Sequence, residues 1–161
     1  MEDLPPELIP NLEYVFEMKV EFTPDRCIFG PLPNGDKQGY TPCAGGTIYG
    51  PRLQGRIVPH SGADFAIVQP DVIIINSHYL LETDDGTKIY INNNGYLVPA
   101  KPGQGRMSFE TPQPEYFVFT PTFKVPAGPH DWISRTVILG MGSRRSQPAD
   151  HSIFRYYAVR T

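Results

Sequence analysis

Apolar and polar residues alternate along several stretches of this chain, and the clearest example lies near its N-terminus. Between residues 12 and 22 the charged side chains fall mostly on one face, and the apolar side chains on the other are Leu12, Tyr14, Phe16, Met18, Val20 and Phe22. A period of two sustained over this length predicts an antiparallel β-strand that buries one of its faces.

The longest predicted strand runs from Val72 to Thr83 and is rich in β-branched residues. Asp84-Asp85-Gly86 has the residue types of a tight turn, and residues 87–92 alternate again. This succession predicts a β-hairpin.

Short apolar runs separated by turns fill most of the remaining chain. They predict further strands at residues 27–29, 47–49, 53–58, 65–68, 116–123, 132–141 and 153–159. Residues 23–42 and 96–111 are predicted loops, and Asn93-Asn94-Gly95 is a predicted turn. The 15 glycines and 18 prolines are spread as turn residues along the chain, which leaves little room for helices.

The predicted fold is therefore all-β: a single-domain antiparallel β-barrel, calycin-like, with about eight to ten strands. A closed barrel is favoured because it removes exposed strand edges, and a β-sandwich is the alternative. Residues 1–161 are expected to form this one domain. Residues 1–11, which contain Pro5, Pro6 and Pro10, are expected to form an extended N-terminal arm.

Charge and hydropathy exclude several classes of partner. The formal net charge of −3 argues against nucleic acid and against an anionic membrane surface, because both attract basic proteins. No apolar run is long enough to span a membrane as a helix, and the N-terminus lacks the pattern of a secretory signal. The expected location is the cytoplasm.

The sequence contains none of the common cofactor or metal motifs. There is no nucleophile elbow, phosphate-binding loop, dinucleotide fingerprint or HExxH helix, and Cys27 and Cys43 lack the CxxC spacing. The four histidines lack ligand spacing as well. We therefore expect no metal and no cofactor, and any catalysis is predicted to be proton transfer by side chains.

His60 and Asp64 are the first candidates for such chemistry. They lie four residues apart across a turn that contains a glycine, so their side chains could form an acid–base pair near neutral pH. The alternative is that Asp64 binds turn amides and His60 is simply exposed.

The long strand carries candidates on both of its faces. His78 and Glu82 share one face, about 13 Å apart, and could project into one cavity from different depths. Ser77 and Tyr79 share the other face, where Tyr79 could donate a hydrogen bond to a substrate oxygen or be a core tyrosine. The pattern leaves open which face points inward.

The predicted catalytic residues are thus Asp64, Tyr79, His60 and His78. Predicted substrate-binding residues are Glu82, Arg106, Phe65, Tyr49 and Trp132. Arg106, in a Pro/Gly-rich segment, could hold an anionic group, although a surface ion pair with Glu110 is the ordinary alternative.

Several glycine-containing motifs resemble one known family. They are the GP-x-L-x-G step at Gly50–Gly55, the GAD-aromatic step at Gly62–Phe65, the hairpin from Tyr79 to Gly86, and the Asn93–Gly95 turn. In order and spacing they resemble the DUF3237 family, also called UPF0311, over nearly the whole chain. The chain departs from the family pattern at Asp71, where Val72 follows instead of glycine.

This resemblance implies a small antiparallel β-barrel that often forms homodimers or larger homo-oligomers. It implies little about function. It places a family aspartate and a family tyrosine at Asp64 and Tyr79, which favours both as site residues.

We therefore hypothesise a cofactor-free lyase, isomerase or cyclase. It would act by acid–base proton transfer on a small apolar or aromatic molecule in the barrel interior, with Asp64 as the base. The alternatives are a non-catalytic small-molecule-binding barrel, which would be a carrier or sensor, and an interaction module without a pocket.

Overall fold

The computed structural model describes residues 5–101, 113–145 and 148–161. A 3-10 turn at Pro6–Leu8 precedes the first strand, and another at Asp131–Arg135 lies between the ninth and tenth strands. The described residues contain no α-helix. The strands are β1 (Asn11–Phe22), β2 (Cys27–Phe29), β3 (Lys37–Tyr49), β4 (Gly55–Ile57), β5 (Ala63–Asp64), β6 (Ile67–Val68), β7 (Ile73–Thr83), β8 (Lys88–Val98), β9 (Tyr116–Lys124), β10 (Ile138–Arg145) and β11 (His151–Arg160).

The strands form a closed antiparallel barrel. Neighbours run in the order β1, β11, β10, β9, β8, β7, β4, β3, and β1 pairs with β3 to complete the ring. The short strands β4, β5 and β6 together fill the one position between β3 and β7, so the barrel has eight positions. The prediction of an all-β antiparallel barrel is confirmed.

Long β3 closes the ring because it pairs on both of its sides. Its second half pairs with β1 on one edge and with β4 on the other. At Gly46, φ is 155° and a Cβ atom would lie 1.9 Å from the carbonyl oxygen of Lys19. Glycine is needed here because the backbones of β1 and β3 approach too closely for a side chain.

The alternation of β7 decides which of its faces is internal. Burial alternates strictly from Ile75 onward, with Ser77, Tyr79 and Leu81 buried inside the barrel. His78 and Glu82 consequently face outward. The question that the sequence pattern left open is answered in favour of the Ser77 and Tyr79 face.

Aromatic side chains fill much of the interior. The rings of Phe16 and Tyr156 stack with their centroids 4.4 Å apart, and Phe119 packs edge-on against both Phe154 and Tyr156. Around the β7–β8 hairpin the interior is completed by aliphatic residues, among them Leu81, Ile89, Ile91 and Ile133. This end of the barrel is therefore solidly packed.

Several local predictions were wrong. Asn93-Asn94-Gly95 forms no turn but lies within β8, where a Cβ on Gly95 would lie 2.3 Å from the carbonyl oxygen of Val118. That glycine allows close strand approach and does not mark a chain reversal. The predicted loop at residues 23–42 contains the start of β3, and the strand predicted from Trp132 begins only at Ile138.

Two glycines in β10 make room for aromatic rings. A Cβ on Gly140 would lie 2.0 Å from the ring of Phe119, and one on Gly142 would lie 2.6 Å from the ring of Phe117. Phe119 is fully packed in the core, whereas Phe117 lines a cavity.

We expect Gly140→Ala to destabilise the barrel more than Gly142→Ala, because only Phe117 has open space into which its ring can move. The first substitution should cost about 2 kcal/mol, which lowers the Tm by roughly 4–8 °C. Thermal unfolding of both variants checks this, and equal losses of stability would contradict it.

Candidate functional site

A cavity of about 110 Å³ lies at the barrel end opposite the β7–β8 hairpin. This end is formed by the beginnings of β7, β9 and β11 and by the ends of β8 and β10. Its walls are mainly apolar, with Ile28, Val68, Ile73, Ile75, Leu97, Phe117 and Phe154. The polar and charged lining residues are Arg26, Thr41, Asp64, Ser77, Arg144 and Ser152.

Asp64 is positioned on the cavity wall by its pairing in the barrel. On β5 it lies directly opposite Thr41 of β3 and Ser77 of β7. Because directly opposed residues in an antiparallel pair project to the same face, these three side chains form a polar row on the inner wall. The Asp64 carboxylate is partly accessible within the cavity.

The phenol of Tyr79 donates a hydrogen bond to Asp64 Oδ1. Tyr79 is fully buried and lies beside Asp64, outside the set of residues that line the cavity. The hydrogen bond fixes the orientation of the Asp64 carboxyl group and leaves Asp64 as the member of the pair that can reach a ligand.

Burial sets the electrostatics of this pair. Desolvation raises the pKa of Asp64 above its ordinary value, and the hydroxyls of Tyr79 and Ser77 and the charges of Arg144 and Arg26 oppose this shift only in part. The pKa of Tyr79 is raised well above its ordinary value, first by burial and then by the Asp64 charge. A carboxyl group with a raised pKa is suited to accept and return protons nearer to neutral pH.

The polar row continues from Ser77 to Asn93, which lies directly opposite it on β8. Asn93 Oδ1 accepts a hydrogen bond of 3.2 Å from the phenol of Tyr156. Asn93 Nδ2 is one of the buried side-chain atoms, among the described residues, that have no hydrogen-bond partner. Buried polar groups normally find partners, so this part of the barrel departs from ordinary core packing.

Two arginines, Arg26 and Arg144, are among the residues that line the cavity. Asp150 accepts hydrogen bonds from Arg144 Nε at 2.8 Å and Arg144 Nη2 at 2.6 Å, and it also accepts one from Arg26. The Arg26 and Arg144 side chains are 16% and 19% exposed, and both line the cavity. The guanidinium of Arg144 also lies over the ring of Phe22.

The structure does not bring His60 and Asp64 together. His60 is exposed on the turn before β5, with a left-handed backbone at φ 57°. Among the described residues, the hydrogen-bond partners of Asp64 include Tyr79 but not His60. The turn carries the His60 side chain outward while β5 carries Asp64 inward.

His78 and Glu82 lie on the outer face of β7. His78 Nδ1 is hydrogen-bonded to the phenol of Tyr90. Glu82 binds Arg56 Nη2 at 2.9 Å and also contacts Lys88. Both residues therefore belong to clusters of side chains on the outer surface. Neither residue lines the cavity.

The predicted aromatic substrate-binding residues also lie away from the cavity. Tyr49 is 69% exposed and Phe65 is 43% exposed, with the Phe65 ring 5.4 Å from that of Tyr40 on the outer face. Trp132 packs near the opposite end of the barrel under the guanidinium of Arg52. Arg106 lies outside the described residues.

No cluster of three or more potential metal ligands occurs in residues 5–101, 113–145 and 148–161. Over the same residues, no helix is long and apolar enough to cross a membrane. The predictions about cofactors and self-association stay predictions.

Sequence reasoning missed four of the six polar and charged residues that line the cavity: Arg26, Thr41, Arg144 and Ser152. It also missed Asp150, which binds the two arginines, and the hydrogen bond between Tyr156 and Asn93. Asn93 falls in the predicted turn at residues 93–95, which the structure places inside β8. Contacts between distant segments of the chain, which the local sequence does not show, bring these residues to the cavity end of the barrel.

Comparison with known proteins identifies the family of this chain. Residues 10–159 match DUF3237, described as a protein of unknown function. The chain belongs to this family. A UPF0311 protein from Clostridium acetobutylicum is 31% identical over 158 residues, which cover 92% of this chain and 94% of that protein. One from Rhodopseudomonas palustris strain TIE-1 is 29% identical over 145 residues, 86% of this chain and 93% of that protein.

Solved structures of other proteins show a similar barrel. A beta-barrel like protein from Acinetobacter baumannii AYE is 28% identical, with a TM-score of 0.79 over 99% of this chain and 100% of that one. An enzyme from Penicillium herquei has a TM-score of 0.69 at 17% identity, again over 99% of this chain and 100% of that one. At that identity the fungal enzyme shows similarity of fold alone.

The raised pKa of Asp64 predicts a stability effect that depends on pH. Because the folded state holds the Asp64 proton more tightly than the unfolded state does, stability is lost as pH rises through the folded pKa. Asp64→Asn removes this ionisation, while the amide oxygen can still accept from Tyr79. We expect its Tm at pH 7 to exceed that of the wild type by a few degrees, with the difference shrinking toward pH 4.

Thermal unfolding across this pH range checks the expectation. Asp71→Asn is the matched control, because Asp71 is exposed just before β7 and its replacement should leave the Tm unchanged. A Tm advantage for Asp64→Asn that does not vary with pH would show that ionisation of Asp64 is not its cause.

Proposed function

We propose that this protein is a cofactor-free enzyme of the lyase, isomerase or cyclase type. It acts by proton transfer on a small, largely apolar or aromatic molecule bound in the barrel cavity. The proposal is carried by one observation. The Asp64 carboxyl group, which accepts a hydrogen bond from Tyr79 and has a raised pKa, lies on the wall of a mainly apolar cavity.

The division of roles follows from the contacts. Asp64 is the catalytic base, because its carboxylate lines the cavity and can reach a ligand. Tyr79 is a positioning residue that holds Asp64 through its phenol and does not itself line the cavity. His60 and His78, which the sequence suggested as partners, have no part in this scheme because both lie outside the cavity.

The chemical step is abstraction of a proton from carbon next to a carbonyl. The C–H bond breaks, the proton passes to Asp64, and the electron pair moves onto the carbonyl oxygen to give an enolate. Return of the proton to the far end of a conjugated enolate is an isomerisation, and loss of a leaving group from the β carbon is a lyase step. Attack on a second carbonyl, whose oxygen then takes the proton from Asp64, is a cyclisation. The positive charges of Arg26 and Arg144 on the same cavity favour the enolate over the neutral ketone.

The similar fold of a fungal enzyme supports catalysis only in that a barrel of this kind can contain an active site. The second candidate function is a non-catalytic binding barrel, a carrier or sensor of similar ligands. The predominantly apolar lining favours it, since apolar walls alone suffice for binding.

Hydrogen–deuterium exchange separates the two candidates without knowledge of the natural substrate. Small aryl ketones such as phenylacetone and 2-tetralone are incubated with the protein in D2O, and loss of the acidic C–H signal is followed by proton NMR. We expect the wild type to accelerate exchange over buffer, and Asp64→Asn to lower that rate by at least about 100-fold, the typical contribution of a general base.

Asp71→Asn, on the outer surface, serves as the control and should exchange at the wild-type rate. Ketones that bind saturably to all three proteins and exchange no faster than in buffer would contradict the enzymatic proposal. That result would support the second candidate function, a non-catalytic binding barrel.

A further inference from the structure

The pairing of β9 with its two neighbours in the barrel is uneven. Within the described residues, β9 pairs with β8 along its whole length, but it pairs with β10 only through Val118 and Phe119. β10 itself continues to Arg145 in register with β11. Phe117 therefore lies beyond the stretch where β9 and β10 are paired, at the cavity end of the barrel.

The Phe117 ring packs against the barrel wall at this unpaired stretch. Phe117 lies opposite Leu97 of β8, and both residues line the cavity. The centroid of its ring lies 5.9 Å from that of Phe119 and 5.8 Å from that of Phe154, in both cases edge-on. A Cβ on Gly142 would lie 2.6 Å from the same ring. The ring thus occupies the space that a side chain at position 142 would need.

Gly142 is needed for this space and not for its backbone conformation. It lies directly opposite Phe154 of β11 and faces the interior with it. It is not among the residues with a left-handed backbone, so alanine could adopt its conformation without strain. A methyl group at position 142 would displace the Phe117 ring toward the cavity, where the ring has open space. The volume of the cavity therefore depends on the absence of a side chain at this position.

That volume limits the size of a ligand. The cavity measures about 110 Å³, and its walls are mainly apolar. An apolar cavity of about 150 Å³ is known to bind benzene, so one six-membered ring fills the space available here. Cys27 and Ile28 line the cavity and are themselves exposed, which shows that the cavity opens to solvent on the side of β2. Substituents on the ring of a ligand can extend through this opening.

We propose that Phe117 and Gly142 determine substrate size, and that the apolar body of the substrate is a single six-membered ring. A second, fused ring would need the space that the Phe117 ring occupies. This inference deepens the proposed function and rests on it for the location of the substrate and for its carbonyl group, which faces Asp64. The substrate class is a ketone with one aromatic or alicyclic ring. Of the two ketones used for hydrogen–deuterium exchange, phenylacetone should show the larger acceleration over buffer.

Two matched alcohols test the size limit separately from catalysis. Benzyl alcohol and 2-naphthylmethanol differ only in the second ring, and neither carries a C–H bond next to a carbonyl. Titration followed by the NMR chemical shifts of the protein gives both dissociation constants. We expect the wild type to bind benzyl alcohol at least about ten-fold tighter, because forcing additional atoms into a packed site costs about this much.

Phe117→Ala should bind 2-naphthylmethanol at least as tightly as benzyl alcohol, because the lost ring makes room for the second ring of the ligand. Phe123→Ala is the matched control. Phe123 lies on the same face of β9, packs near Phe16 in the core and does not line the cavity, so its replacement should leave the preference of the wild type unchanged. Where Phe117→Ala does not fold, Phe117→Leu takes its place and should reduce the preference.

Gly142→Ala tests the other half of the pair in the opposite direction. It should weaken the binding of benzyl alcohol about ten-fold or more, because the displaced Phe117 ring overfills the cavity. In the Phe117→Ala or Phe117→Leu background, the same glycine substitution should have a much smaller effect, since the residues act on the ligand as one unit.

The inference would be overturned if the wild type bound 2-naphthylmethanol as tightly as benzyl alcohol, or bound neither at millimolar concentration. Unchanged binding of benzyl alcohol to Gly142→Ala would overturn it as well. These results concern the binding of unreactive alcohols, whereas the proposed function depends on the exchange of ketones and its loss in Asp64→Asn. Failure of one is therefore distinguishable from failure of the other.

Discussion

Closure of the barrel is the constraint on which the rest of this structure depends. Once β1 pairs with β3, each strand has one face toward the barrel interior and one toward the outside. Alternate side chains along a strand therefore point into the core or into solvent. The side chains of Asp64, Ser77 and Asn93 converge because three different strands place them in one row. The same closure sends His78 and Glu82 to the outer surface.

The interior is divided between structural packing and the candidate site. Near the β7–β8 hairpin, aliphatic side chains fill the barrel, and stacked aromatic rings occupy its middle. At the other end the barrel leaves a cavity that contains a carboxyl group and two guanidiniums. Polar groups in such surroundings reduce stability, and proteins tolerate this cost mostly where function requires it.

Local sequence predicted the parts of the fold that depend on local chemistry. Alternation in residues 12–22 and 72–83, together with the turn residues Asp84-Asp85-Gly86, gave two long strands and a hairpin that the structure contains. Asn93-Asn94-Gly95 was misread because asparagine and glycine also serve inside a strand, one as an internal polar group and the other for close backbone approach.

Asp64 and Tyr79 were identified, but their hydrogen bond joins residues of different strands. The roles of Arg26, Arg144 and Tyr156 depend on contacts across the barrel that no local pattern shows.

The most direct test of this account is the titration of the Asp64 carboxyl group itself. Carbon-detected NMR of the aspartate side chains, assigned with Asp64→Asn, gives its pKa in the wild type and in Tyr79→Phe. We expect a raised pKa in the wild type and a higher one in Tyr79→Phe, because the phenol stabilises the ionised carboxylate. An ordinary aspartate pKa that does not change in Tyr79→Phe would contradict the assignment of this pair as the centre of the site.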